Sequence, residues 1–424
     1  MPHLGSARAP GRSRHRNRRH CLAESHVKIG VVSQALPYLP SRGGFRLYGG
    51  NLIRHLARRH EIHLVSMLIE DDADHLDWAR RHCASVITIP VPRGAKALAP
   101  LSALTAHLWG RPLQQARAMS RALRRASGDW DVMHVEGGYA GGIVPDVPIA
   151  KVLSLHDSGT LRCEEMLKCS QSRREKLYYR LLRLHEPRFE RLVYPRFERC
   201  TVVAAPDLAE VRRVVPRCQV DLVPYGTDTE YFHPVPVDKA ARTLVFHSHL
   251  GYAPNIEAAL EFANTILPLV RARVPGAVFH LVGANPGPTI TELAARDGIK
   301  ISANLPDLRP AVCAGQVYVC AIRHGTGLKS KMLEAMAMQM PIVGYPGAVV
   351  GLAGTPGTHY LVAQDPKEFA DHVVALLEQP ERAGRLAQAG RELVEQEYSW
   401  ESRARVYEDL YQTVMKEREL RSRH

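Results

Sequence analysis

The sequence predicts an α/β chain in which two Rossmann-like, doubly wound domains follow one another. Three observations predict it. Short apolar runs alternate with helical stretches through the first half, and the same alternation starts afresh in the second half. Between the two series lies PYGTDTEYFHPVP, Pro224 to Pro236, a turn-rich stretch that reads as a linker. Strands that alternate with helices build a parallel sheet covered on both faces.

The first series opens abruptly at Val27 with the strand VKIGVVS. A loop rich in Pro and Gly follows (Pro37, Pro40, Gly43, Gly44), then a helix from about Phe45 to Arg59 and the strand EIHLVSM. Such a loop stands at the carboxyl edge of the first strand, where ligands bind in doubly wound sheets. The spacing is not GxGxxG, so no dinucleotide fingerprint is present. Further strands are expected at Ser85 to Val91, Asp131 to Glu136, Ala150 to His156, Cys200 to Ala205 and Val220 to Pro224, with a helix from Pro112 to Ala126. Two strand ends carry polar groups toward the ligand edge. One is Glu136, followed by Gly137 and Gly138; the other is His156, followed by Asp157. A histidine there can act as a base, an electrophilic aid or an orienting donor, or simply be satisfied by local backbone.

The second series reads TLVFHS (Thr243 to Ser248), a helix from about Ile256 to Arg273, AVFHLVG, KISA, QVYVCAI and PIVGY. Between the last two lies GTGLKSKMLEAMA, Gly325 to Ala337. Its glycines let backbone approach an anion, the following helix offers unpartnered NH groups, and Lys329 and Lys331 add full charges, so a diphosphate is a natural ligand. Glu334, set among Met332, Leu333, Ala335 and Met336, needs a polar partner if it is buried. Glycine-rich helix starts and water-facing glutamates are also common, and this stretch alone leaves both readings open. The tail carries three helical stretches, with Ser399 as the N-cap of the last.

At 424 residues the chain exceeds one hydrophobic core, and 45% apolar with 23% charged residues is the balance of a globular protein. No run of eighteen apolar residues occurs, and the arginine-rich start lacks the apolar stretch of a secretory signal. The eight cysteines are scattered without a CxxC pair, which fits a reducing, cytoplasmic compartment. The net charge of +13 is uneven. Six arginines and no acid fall in residues 1–20, so residues 1–26 read as a disordered, solvated extension, and no nucleic-acid partner is expected. The segment 173–199 holds nine Lys/Arg against four Glu, with leucines and aromatics interleaved. It reads either as a solvated helix face over a core or as a peripheral contact with the inner face of the cytoplasmic membrane. Asp71 and Asp72 lie in a charged stretch and read as solvated.

The ordered set ALPYLPSRGGFRLYGGNLIRHLARRHEIHLVS, VPYGTDTEYFHP, HLGYAPNIEAALEFANTILPLVRARVPGAVFHLVG, GTGLKSKMLEAMAMQMPIVGY and YSWESRARVYEDLY resembles the family-4 retaining glycosyltransferases of the GT-B fold, which build bacterial surface polysaccharides. The resemblance covers roughly residues 27–415. It implies an acceptor domain over 27–236, a nucleotide-sugar donor domain over 237–398, and a terminal helix over 399–424 that crosses back to the first domain. It further implies that Gly43 and Gly44 bring amides to the donor phosphate or acceptor, that His156 lines the site beside the transferred sugar, and that Glu334 holds ribose hydroxyls. Gly325 and Thr326 would border the nucleotide sugar, and the helix start at Gly327 to Ser330, with Leu328 within it, would cradle the diphosphate. Lys329 and Lys331 would stabilise its departure in a site without metal.

The chain departs from the family pattern at three places. Thr326 replaces the first of the paired glutamates, Ser248 stands where Gly is frequent, and Tyr225 where Asn is frequent. The expected function is transfer of a hexose-type sugar from a nucleoside diphosphate sugar to a glycan, lipid-linked or small acceptor, with retention and without a further cofactor. A nucleotide-sugar epimerase and a non-catalytic glycan- or partner-binding protein are the alternatives, because fold does not fix reaction.

Overall fold

The structure is a computed structural model, and it describes residues 26–41, 44–91, 114–169, 173–323 and 328–422. The expected extension up to residue 25 lies outside them, as do Pro112, Gly43, Gly325, Thr326 and Gly327.

Two parallel sheets carry the chain. The first holds β1 (Lys28–Ser33), β2 (Glu61–Ile69), β3 (Ser85–Val91), β4 (Val132–Glu136), β5 (Ala150–His156), β6 (Arg199–Val202) and β7 (Val220–Leu222), in the order β3-β2-β1-β4-β5-β6-β7. The second holds β8 (Thr243–His249), β9 (Val278–Ala284), β10 (Ile299–Ala303), β11 (Val317–Cys320), β12 (Ile342–Gly344) and β13 (Leu361–Val362), in the order β10-β9-β8-β11-β12-β13. In each sheet the order reverses once, between β1 and β4 and between β8 and β11. A parallel doubly wound sheet opens its ligand crevice at the carboxyl ends of those two strands. The central strands are apolar because helices cover both faces: every residue of β1 after Lys28 is buried.

One face of the first sheet packs under the Gly44–Leu56 helix and under the final helix, Trp400–Ser422, which brings Trp400, Ala404, Tyr407, Tyr411 and Val414 into that core. Met119, Leu123, Val193, Val211 and Val214 fill the other face. The second sheet has its own core, to which Met332, Leu333, Met336 and Phe369 contribute. The final helix is fixed by polar contacts as well. The Tyr407 hydroxyl lies 2.5 Å from that of Tyr48, 3.0 Å from Thr201 Oγ1 and 3.3 Å from Ser154 Oγ. Ser399 Oγ accepts from Ser402 N at 3.1 Å, the expected cap.

Several expectations need correction. The strand expected from Cys200 to Ala205 stops at Val202, because Ala205 and Pro206 already begin a helix, where a proline in the first turn loses no bond. The segment 173–199 is a helix over only part of its length. Its helix is Arg173–Val193, a 3-10 turn follows at Tyr194–Arg196, and Arg199 opens β6 and donates to Glu417 at 2.7 Å. Asp72 is buried rather than solvated, since Arg46 Nη2 reaches its carboxylate at 2.9 Å. The side chain of Asp71 is outside the described residues.

Candidate functional site at the two strand-order reversals

In the first sheet the reversal lies beside Ser33 and Glu136, which face each other in the β1–β4 register. Glu136 is fully buried, yet it has two donors. Its Oε1 lies 2.7 Å from His134 Nε2 and its Oε2 lies 2.7 Å from His156 Nε2. Burial works to raise this carboxyl, but the charges and hydrogen bonds of the two imidazoles outweigh it and hold the group at about 2. His156 ends β5 at φ 66°, a left-handed angle that L residues rarely adopt, and the β5–β6 register shifts just before it. Its ring packs against Phe45, Tyr48 and Tyr225, and its Nδ1 lies 3.3 Å from the Tyr225 hydroxyl. The residue that replaces the frequent Asn thus touches the imidazole directly.

Beside His156 opens a cavity of about 260 Å³, lined among others by Gln34, Phe45, Tyr139, Asp157, Arg162 and Glu186. Arg162 pairs with Asp157 at 3.2 Å and donates to the Tyr139 hydroxyl, which donates in turn to Glu186. Two backbone positions shape this wall. Gly137 takes φ 91°, and a side chain at Gly159 would meet the Glu186 carboxylate at 2.0 Å, so neither position admits a larger residue without movement.

At the second reversal the helix Ser330–Ala337 starts after Lys329, whose backbone is extended. Met332, Leu333, Ala335, Met336 and Ala337 bury in the second core and fix the helix. Glu334 is the exception: its side chain is 21% exposed, and its Oε2 lies 2.8 Å from Nε2 of His247 near the end of β8. Burial pushes the Glu334 carboxyl up, but the bond and charge of His247, with Lys331 and Ser330 adding, keep it below the usual carboxylate value. The first NH groups of a helix have no intrahelical partners, and no side chain among the described residues caps this helix start. Leu328 packs partly against the second core.

The structure brings Ser330, Lys331, Glu334 and the end of β8 together, and it sets His156 at the reversal of the other sheet. The expected partner of Glu334 is His247, which the sequence reading missed. Its signal is the polar tail of TLVFHSH, where an apolar strand ends in histidines at a ligand edge. His134 and Tyr411 were also missed. His134 is two residues before Glu136 and therefore shares its face of β4, whereas Tyr411 comes from the far end of the chain.

Residues 42–231 match the model of the Glycosyltransferase Family 4 domain, and residues 241–379 that of the glycosyl transferases group 1 domain. A GDP-mannose-dependent alpha-(1-6)-phosphatidylinositol monomannoside mannosyltransferase of Mycobacterium tuberculosis (strain CDC 1551 / Oshkosh) is 26% identical over 218 residues. That match takes in 46% of this chain and spans 56% of the relative's length. Among solved structures, a sucrose-phosphate synthase from Thermosynechococcus elongatus superposes with a TM-score of 0.62 at 18% identity, over 92% of this chain and 100% of that one. HepE from Anabaena in complex with UDP and glucose gives 0.59 at 13% identity, over 92% and 100%. At such identities the likeness is one of fold. With both sheets and both halves of the sequence matched, the chain belongs to the family-4-type glycosyltransferases of GT-B fold.

Proposed function

We propose that the chain moves a hexose-type sugar from a nucleoside diphosphate sugar to a glycan, lipid-linked or small acceptor, with retention of anomeric configuration. The observation that carries the donor side is Glu334, ionised, partly exposed and held by His247 beside an uncapped helix start. A carboxylate in that position accepts from two ribose hydroxyls, and the helix start with Lys329 and Lys331 receives the diphosphate. By the family pattern Gly43 and Gly44 bring amides to the donor phosphate or the acceptor, and Gly325, Thr326 and Gly327 line the nucleotide-sugar site, with Thr326 standing where the family has the first of its paired glutamates.

Breaking the sugar–phosphate bond develops positive charge on the sugar and negative charge on the departing phosphate. The two lysines and the helix NH groups stabilise the latter without a metal ion. The cavity beside His156 takes the transferred sugar and the acceptor group that receives it. Its lining sets two carboxylates, Asp157 and Glu186, against the one guanidinium of Arg162, an excess of negative charge that favours a neutral, hydroxyl-rich ring over a second anion. The mycobacterial relative is named for a GDP-mannose donor and a lipid-linked mannoside, and HepE is described with UDP and glucose, so GDP-mannose and UDP-glucose are the first donors to offer.

Incubation of the full chain with each donor and a bacterial lipid extract tests the reading. The expected outcome is a glycosylated product whose anomeric coupling matches that of the donor. Conversion of the donor without acceptor would point to an epimerase, and inertness toward every donor would point to a non-catalytic protein. Turnover by a Lys329→Ala, Lys331→Ala variant is expected to fall far more than its melting temperature, and EDTA is expected to leave turnover unchanged.

A further inference from the structure

A line of buried hydrogen bonds runs from the final helix to His156. The Tyr411 hydroxyl lies 2.7 Å from His134 Nδ1, and burial keeps that phenol protonated. His134 Nε2 and His156 Nε2 each reach one oxygen of Glu136 at 2.7 Å. An ionised carboxylate only accepts, so both imidazoles must carry a proton on Nε2. In the neutral rings the Nδ1 atoms are then lone pairs. That of His134 is occupied by the Tyr411 proton. That of His156 meets only the Tyr225 hydroxyl among the described residues, at a long 3.3 Å, on the wall of the 260 Å³ cavity.

We propose that Glu136, braced by His134 and Tyr411, is a positioning residue that holds His156 in its Nε2–H form, so that Nδ1 accepts from a hydroxyl of a sugar ligand in the cavity. The ligand half of this statement rests on the glycosyltransferase reading above; the tautomer half does not. Tyr411 gives the final helix a role beyond packing. Its proton fixes His134 as a donor toward Glu136, which leaves His156 as the ring that must respond when the carboxylate is altered.

Long-range proton–nitrogen NMR of the full chain, labelled at histidine and held at pH 7.5, reads the tautomers directly. His134→Ala and His156→Ala spectra assign the signals. In the wild type both rings are expected to be protonated at Nε2 only; an Nδ1 proton on His156 overturns the proposal. In Glu136→Gln the amide can accept from one ring but must donate to the other, so one ring has to move its proton to Nδ1. That ring is expected to be His156, because Tyr411 pins His134. In Glu136→Gln with Tyr411→Phe the Nδ1–H form is expected to be shared between the two rings.

A His156 signal that ignores Glu136→Gln contradicts the proposal. Should that variant fail to melt cooperatively, the wild-type spectrum and Tyr411→Phe alone decide: the His134 Nδ1 signal must shift while His156 keeps its Nε2 proton. Calorimetry with UDP and GDP on the same samples separates the two levels. If neither nucleotide binds the wild type, the glycosyltransferase reading fails, whereas the tautomer result stands or falls on the spectra.

Discussion

His156 stands at a backbone angle that L residues rarely adopt, and a strained angle persists only where surrounding contacts over-determine it. Glu136 supplies one of them, at 2.7 Å from Nε2, beside the packing of Phe45, Tyr48 and Tyr225 on the ring. Since the folded carboxyl is held at about 2, below its unfolded value of about 4.3, it contributes stability that is present above that unfolded value and lost as pH falls toward 2. The contribution is on the order of 3 kcal/mol. Urea unfolding at a series of pH values should therefore show wild-type stability dropping more steeply than that of Glu136→Gln between pH 4.3 and 2, and parallel curves would contradict the assignment. At this scale the sequence showed Glu136 and His156, because apolar runs reveal where a parallel strand ends, and Glu334, because it is the one carboxylate among the apolar residues of its helix. It did not show their partners. His247, His134 and Tyr411 meet them only through tertiary placement.

Among the elements, the final helix and the basic helix carry the two clearest consequences. The hydroxyl of Tyr407 joins Tyr48, Ser154 and Thr201 in a buried group, so Tyr407→Phe removes a shared partner and is expected to cost about 1–3 kcal/mol in chemical denaturation. A change near zero would show that the helix is held by packing alone. The Arg173–Val193 helix turns Glu186 and Glu190 inward, where they are buried, and leaves Leu177, Leu181 and Leu184 exposed at 59%, 39% and 63% among arginines. Those leucines follow helical spacing on one face. We propose that this face lies against an anionic bilayer. Co-sedimentation with phosphatidylglycerol vesicles should exceed that with phosphatidylcholine and should fall severalfold in Leu181→Asp, Leu184→Asp; equal binding to both lipids would exclude it. No described helix is long and apolar enough to cross a membrane. Strand positions were legible because buried parallel strands are continuous apolar runs, whereas the short β13 and the turn at Tyr194–Arg196 carry no periodicity to read.

For the whole molecule, the linker is tied to the Gly44–Leu56 helix with its following turn and to the start of the final helix. Arg54 and Arg58 of the Gly44–Leu56 helix and its following turn pair with Asp228 and Glu230, Arg59 pairs with Glu401 and Glu408, and Thr227 bridges to Ser399. The Arg58–Glu230 pair is exposed and contributes little by itself, whereas the Arg59 pairs with Glu401 and Glu408 are partly buried and join the turn after the Gly44–Leu56 helix to the final helix. The tandem of two α/β units was readable from the restart of the strand–helix alternation after Pro236. The return of the last helix was not written in any local pattern and came from family resemblance. In the function proposed above, the Ser330–Ala337 helix start and Glu334 form a nucleoside diphosphate site. Calorimetric titration of the wild type and of Glu334→Ala with UDP and GDP tests it most directly. At least one nucleotide is expected to bind the wild type and to bind the variant about 10- to 100-fold more weakly, the loss of hydrogen bonds to a charged group. Equal affinity in the two proteins, or binding of neither nucleotide to the wild type, would contradict it.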